Sequence, residues 1–408
     1  MLSRRHILKT AMAAAATGFM PANGVASSGP NPLGFIRTNW SRDPYSYGSY
    51  SFIAKHAKKR QTRDLARPID DRIFFAGEAT HPDYNSTVHA AYESGVMAAQ
   101  AVLEKGAQSI GIIGAGMSGL AAAKHLSVEG KRVTVFEARD RIGGRIWTDS
   151  SLGLPLDLGA SWIHGIDENP VINISDDLGL VTKETDSTFM VRGKGGRDMN
   201  DEAGPEWLED VLEVQHSAGA SLSEINSWAY WRDQDYDGVD VIFTNGYAEA
   251  LEAFDGDYET FLDQKITRVA ERPDAVELSD DNNISHTFDV IIVTVPLGVL
   301  KRGDITFDPP LPQRKQAAID DLGFGLLDKL YLKFSSVFWD AEKTWIITPE
   351  NELPAGQFNQ WLNLHPYIRQ PILVAFNGAQ PARDLSALDD DTIVARALQT
   401  LAMAYPNA

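Results

Sequence analysis

Residues 109–126 read S-I-G-I-I-G-A-G-M-S-G-L-A-A-A-K-H-L, and residues 133–148 read V-T-V-F-E-A-R-D-R-I-G-G-R-I-W-T. An apolar run from Ile110 to Ile113 leads into Gly114-x-Gly116-x-x-Gly119, and an alanine-rich helical segment follows. A second β-type run at 133–136 ends in an acid, Glu137, about 20 residues past the last glycine, the spacing of a dinucleotide fingerprint. Each glycine has a role. Gly114 permits the tight strand-to-helix turn, Gly116 lets backbone approach a pyrophosphate, and Gly119 lets helix and strand pack closely. Ser118 lies inside this loop, not in a nucleophile elbow, and counts as a cofactor contact. The free N–H groups and dipole of the following helix favour a diphosphate, and Glu137 can accept hydrogen bonds from a ribose.

Directly after that acid, Arg139, Arg141, Gly143, Gly144 and Arg145 form R-x-R-x-G-G-R. This makes a second phosphate-approach loop, which a plain nicotinamide domain does not need. The run E-A-R-D-R-I-G-G-R resembles the FAD-binding domain of the flavin amine oxidases, a family that includes monoamine oxidases, polyamine oxidases and lysine-specific histone demethylases. The block D-L-G-A-S-W-I-H-G at 157–165 is similar to the polyamine-oxidase branch. The resemblance implies that Ala160, Ser161 and Trp162 pass close to the flavin. It implies an α/β fold: a Rossmann-like FAD domain of the glutathione-reductase type and an α+β substrate domain, both discontinuous.

The order of the blocks is rotated. Residues 72–99 read R-I-F-F-A-G-E-A-T-H-P-D-Y-N-S-T-V-H-A-A-Y-E-S-G-V-M-A-A, which resembles the family's C-terminal closing motif. Upstream, T-N-W-S-R-D-P-Y-S-Y-G-S-Y-S-F at 38–52 resembles the segment that ordinarily precedes it. The expectation is a circular permutation with the old ends joined near 104–109. Apolar positions Val88, Tyr92, Val96, Ala99 and Leu103 recur at helical spacing, so a helix, a short K-G-A-Q connector and the strand from Ser109 make an ordinary link.

Residues 1–26 differ in kind. S-R-R-H-I-L-K precedes an alanine-rich stretch and G-V-A, resembling a twin-arginine export signal. Its apolar core is too short to anchor the chain in a bilayer. The expected destination is the periplasm or the exterior, through transient contact with the twin-arginine machinery. The remainder divides into FAD-domain pieces at 38–165 and 241–303 and substrate-domain pieces at 166–240 and 304–408. A net charge of −19 argues against nucleic acid as a partner and could steer a polycationic amine. The chain has no cysteine. The thioether that fixes flavin in monoamine oxidases near the position of Ser49 therefore cannot form, and FAD is expected to be noncovalent.

Amine oxidation by flavin needs a neutral amine placed with its α-carbon against the ring. Strand alternation puts Lys329, Tyr331 and Lys333 on one face and Leu330, Leu332 and Phe334 on the other. Spacing alone does not choose between the two lysines. The resemblance of G-F-G-L-L-D-K-L-Y-L-K-F to the family segment whose lysine reaches the flavin N5 edge through a water implies Lys329. It further implies that Trp40 and Tyr50 contact flavin and amine channel, that His164 lines the pocket, and that Glu78 contacts the ribityl–diphosphate region. Thr87 and Val88 would head a helix beside the pyrimidine carbonyls, and Val269 would touch the cofactor. Thr87 stands where monoamine oxidases have a second cage aromatic, as in the polyamine-oxidase and demethylase types, which argues against a simple monoamine pocket; the expected reaction is oxidation of a polyamine-like substrate with oxygen as acceptor. Two other readings stay open. An amino-acid oxidase would need an arginine for the substrate carboxylate, with Arg232 or Arg369 available; a non-catalytic flavin module would need none of this chemistry.

Overall fold

The computed structural model describes residues 30–231 and 236–408. The leader and Arg232 lie outside the described residues. Five short strands form an all-parallel sheet in the order Glu259–Phe261, Arg132–Phe136, Ser109–Ile113, Val290–Val293, Ile73–Phe75. Ile73–Phe75 and Val290–Val293 are buried at every residue. That is why they read as continuous apolar runs without alternation.

Two helices, Val88–Glu104 and Met117–Val128, cross on one face of this sheet. Their approach depends on Gly95, where a Cβ would stand 2.1 Å from the Ser118 carbonyl oxygen. Leu103 and Val102 then accept from Gly106 and Lys105, closing a turn that delivers the chain into Ser109–Ile113. Helix, turn and strand at the suspected joint are therefore regular.

An antiparallel-dominated layer, Ser285–Phe288, Val276–Asp280, Ile266–Glu271 and Thr306–Asp308, covers the opposite side. Thr306–Asp308 pairs with Ile266–Glu271, so this sheet runs past residue 303, where the sequence suggested a boundary. A six-stranded sheet is ordered Gly34–Arg37, Leu327–Lys333, Ile372–Gly378, Gln360–Asn363, Trp345–Ile347, Phe189–Val191. On one face, Leu330, Leu332, Trp361 and Leu373 pack on Ile393, Val394, Ala397 and Leu401 of helix Asp390–Ala404. On the other, Tyr331, Leu362 and Phe376 meet Leu158, Trp162 and Ile242. The alternation expected at 329–334 is thus the alternation observed, and it turns Lys329 away from the helix. Residues 206–218 are helical, with a π-helical turn at Asp210–Gln215, while Thr182–Glu184 and Phe189–Val191 earlier in the same segment are strands. Among the described residues no helix is long and apolar enough to cross a membrane.

Candidate active site

A cavity of about 1210 Å³ runs from the parallel sheet to the six-stranded one. Single small-molecule sites fill about 300–1,000 Å³, so this space suits a dinucleotide together with a substrate. The cofactor and catalytic candidates named from the sequence line it except Gly119, Arg141 and Val269, and neither Lys333 nor Arg369 does. Gly119 packs the turn instead, since a Cβ there would lie 2.0 Å from the Gly114 oxygen. Val269 is wholly buried among Ile73, Phe75, Ile113 and Val293. It does not reach the cavity, because its strand turns Ile266, beside Gln264 and Lys265, to the lining in its place.

At the dinucleotide end the two glycine loops are fastened together. Gly143 N donates to Ala115 O at 2.8 Å, and Gly116 bridges Gly143 in parallel register. Gly144 holds a left-handed φ of 59° beneath Gly116. A Cβ at Gly116 would find nothing closer than 4.0 Å, so the loop is open toward the cavity at the N-cap of helix Met117–Val128. Ser118 Oγ lies 3.3 Å from Ser94 Oγ, which in turn accepts from Gly77 N. Glu137 is buried. Its Oε2 accepts from Ala115 N at 2.8 Å and its Oε1 from Arg139 N at 2.9 Å. Burial raises its pKa, and those two N–H groups pull it back. Arg139 makes a bidentate pair with Asp43, at 2.7 and 2.9 Å. Arg141 donates to the carbonyls of Ile142, Gly144 and Ile146 while lying over Trp147, so it shapes the loop from behind. These features fit a flavin dinucleotide: an open glycine cradle, a helix N-terminus and a buried ribose acid.

Glu78 ties residues 49–86 to this end. One carboxylate oxygen accepts from Arg145 at 2.8 Å, and the other from Ser51 Oγ at 2.6 Å and Ser86 N at 2.9 Å. Thr87 caps helix Val88–Glu104 by accepting from Ala90 N at 3.1 Å. Trp40 stands edge-on to Trp147, with ring centroids 6.1 Å apart.

At the substrate end Lys329 is buried in the wall. Its Nζ donates to Asp157 O at 2.9 Å, Gly159 O at 2.6 Å and Ser161 Oγ at 2.6 Å. Lys333 instead donates to Leu152 O and does not line the cavity, so geometry separates the two lysines that spacing left equivalent. Burial lowers the Lys329 pKa, opposed by the Asp157 charge. Around Lys329 stand Trp162, Trp345 and Phe376, with centroids 5.9–6.1 Å apart. His164 stacks on Trp162 at the rim and shares a 2.8 Å contact with Asp240. The Tyr50 hydroxyl donates to the His216 carbonyl. His216 holds Gln360 through Nδ1 and has no partner at Nε2; burial lowers its pKa to about 4. Sequence reasoning missed His216, Gln360, Trp345 and Phe376. They arrive from strands and a helix far along the chain, and no local motif marks them. Arg369 is not in the lining.

Among known proteins, the family described as flavin containing amine oxidoreductase matches residues 2–103, 117–224 and 192–408. Probable polyamine oxidase 4 of Arabidopsis thaliana is 31% identical, covering 74% of this chain and 72% of that protein. Lysine-specific histone demethylase 2 of Homo sapiens is 24% identical, covering 72% of this chain and 43% of that protein. The structure of a putrescine oxidase bound to putrescine is 21% identical with a TM-score of 0.54, covering 73% of this chain and 81% of that one. With a flavin-shaped site and a family match along most of its length, the chain belongs to the flavin containing amine oxidoreductases and is an amine-oxidising enzyme with noncovalent FAD as its cofactor.

Proposed function

We propose that this enzyme oxidises a polyamine, with oxygen as the acceptor and hydrogen peroxide as a product. Bound FAD supplies a two-electron acceptor for the hydride equivalent leaving the carbon beside nitrogen. Gly114, Gly116, Gly144 and Glu137 hold the dinucleotide, and Arg145 with Glu78 fixes the segments that close over it. Lys329 is the catalytic residue, held at the wall between Trp162 and Phe376. Trp162, Trp345 and Phe376 exclude water and orient the amine, while Tyr50 secures the helix end carrying His216. His164 with Asp240, and nearby Glu184 and Asp186, give the outer cavity an anionic rim suited to a cationic substrate.

The observation that carries this reading is the buried Lys329 ammonium facing an aromatic pocket with an acidic rim. An amino-acid oxidase would place a free arginine there. Among the described residues the cavity's arginines are Arg139 and Arg145, already paired with Asp43 and Glu78. The test is anaerobic mixing of the holoenzyme with spermidine, putrescine, a monoamine and an amino acid. Spermidine should bleach the flavin fastest; bleaching by the amino acid alone would overturn the polyamine assignment.

The rotated order is read as a circular permutation. Supporting it, Ile73–Phe75 takes an edge position beside Val290–Val293, and helix 88–104 passes into Ser109–Ile113 through one turn. Phe35 and Tyr405 also share one apolar cluster, and Arg37 contacts Asp390 at 2.5 Å. Export through the twin-arginine route, delivering a folded, FAD-loaded enzyme to the periplasm or beyond, completes the proposal. It rests on the sequence of residues 1–26. Replacing Arg4 and Arg5 by Lys should leave the enzyme in the cytoplasmic fraction.

A further inference from the structure

All three acceptors of the Lys329 ammonium lie on one five-residue stretch, 157–161. Asp157 serves this arrangement twice. Its peptide oxygen accepts from Lys329 Nζ at 2.9 Å and from the Tyr331 hydroxyl at 2.6 Å. Its carboxylate is buried, turned away from the cavity, and accepts from Thr148 Oγ1 at 2.5 Å and Tyr247 N at 2.9 Å. Among the described residues Lys329 has no carboxylate in direct ion-pair contact, yet a buried ammonium needs a compensating charge close by. The Asp157 carboxylate, on the residue whose peptide oxygen Lys329 touches, is the charge that opposes the desolvation of Lys329.

We propose that Asp157 is a positioning residue for the amine-oxidising site: its backbone fixes the Lys329 amine at the cavity wall, and its carboxylate keeps that amine charged. The inference rests on the reading of Lys329 as the catalytic residue only for its consequence in turnover, not for the coupling itself. Other groups near the pair do not replace it. Tyr331 is an uncharged donor on the same strand. The Asp328 carboxylate is taken by Thr38 and Trp40 on the neighbouring segment. Tyr247 is buried and neutral, and Glu249 adds negative charge on the Asp157 side. His216, beyond Phe376, is neutral because it is buried. Burial raises the Asp157 pKa and lowers that of Lys329, while each charge opposes the shift of the other.

The experiment uses FAD-loaded enzyme carrying ¹³Cε-lysine, with Lys329→Met identifying the Lys329 signal. In the unaltered protein that signal should titrate in two inflections, the acid one reporting Asp157. In Asp157→Asn, which keeps the shape and an acceptor for Thr148 and Tyr247, the acid inflection should vanish. The remaining midpoint should fall by about one pH unit or more, as expected when an opposite charge is removed. A single inflection in the unaltered protein, which needs no variant to fold, would overturn the proposal, as would an unmoved midpoint in Asp157→Asn. The pH profile of flavin reoxidation by oxygen separates the two readings. If it follows the midpoint downward, both stand; if the midpoint moves and the profile does not, Asp157 remains coupled to Lys329 but Lys329 is not the catalytic group.

Discussion

The guanidinium of Arg145 lies 2.8 Å from the carboxylate of Glu78, joining the second glycine loop to a segment 67 residues earlier in the chain. The same guanidinium nitrogen donates to Ser49 O at 2.9 Å, and Glu78 also gathers Ser51 and Ser86. One contact therefore holds together three stretches that the sequence scatters.

Glu78→Ala should release these segments and leave a partly buried guanidinium without its partner. The expected loss is about 3 kcal/mol of cofactor binding, roughly a hundredfold in FAD dissociation constant. Fluorescence titration of the apoprotein with FAD measures it. Glu78→Gln, which keeps acceptors for Ser51 and Ser86, should recover part of the loss.

Lys329→Met should keep FAD bound and slow flavin reduction, reoxidation or both by roughly a hundredfold, since Met preserves the stem but removes the placed amine. Lys333→Met should stay close to the unaltered enzyme, because its Nζ reaches only Leu152 O. Stopped-flow absorbance resolves the two half-reactions. A slow Lys333→Met beside an unaffected Lys329→Met would reverse the assignment.

A relinked gene tests the permutation. Placing residues 30–104 after residue 408 and starting the chain near residue 105 should give a folded, FAD-binding enzyme of similar activity. The described parts of the two present ends already meet in one apolar cluster through Phe35 and Tyr405. Deleting residues 30–104 outright should abolish FAD binding, since Ile73–Phe75, Glu78 and Thr87 go with them. Tight FAD binding by the remainder would show that this block is not part of the site.

Acid should destabilise the protein through His89. This side chain is buried between Tyr84 and Tyr236, its Nε2 has no partner, and burial lowers its pKa to about 4. Because the unfolded chain binds the proton more readily, stability from neutral His89 is complete above about pH 6.5 and is lost as pH falls toward 4. The effect amounts to about 3 kcal/mol. His89→Phe should narrow the difference in Tm between pH 7.5 and pH 5, measured by calorimetry.

The fingerprint was legible because its constraints are local: Gly114, Gly116 and Glu137 are set by backbone spacing within one strand–helix–strand unit. Lys329 was legible to within two residues, since a period of two fixes the face but not the position along the strand. What separated it from Lys333 is distant, the carbonyls of 157–161 on one side and Leu152 on the other. Val269, named as a cofactor contact, lies outside the cavity lining for a related reason. Its strand is apolar on the face toward the parallel sheet, and only the pairing with Val276–Asp280 decides which residue reaches the cavity. The aromatic wall of Trp345 and Phe376, with His216 behind it, was invisible. Nothing near these residues in sequence says that they converge.

The edge strand Ile73–Phe75 has one neighbour in its sheet, and Ile73 pairs with Ile291. A ribosome therefore releases this wholly apolar strand long before its partner exists. Until Val290–Val293 emerges, three consecutive large hydrophobic residues must wait unpaired, an invitation to off-pathway association. Nascent chains of this enzyme should thus depend on holding chaperones until residue 293 has left the ribosome.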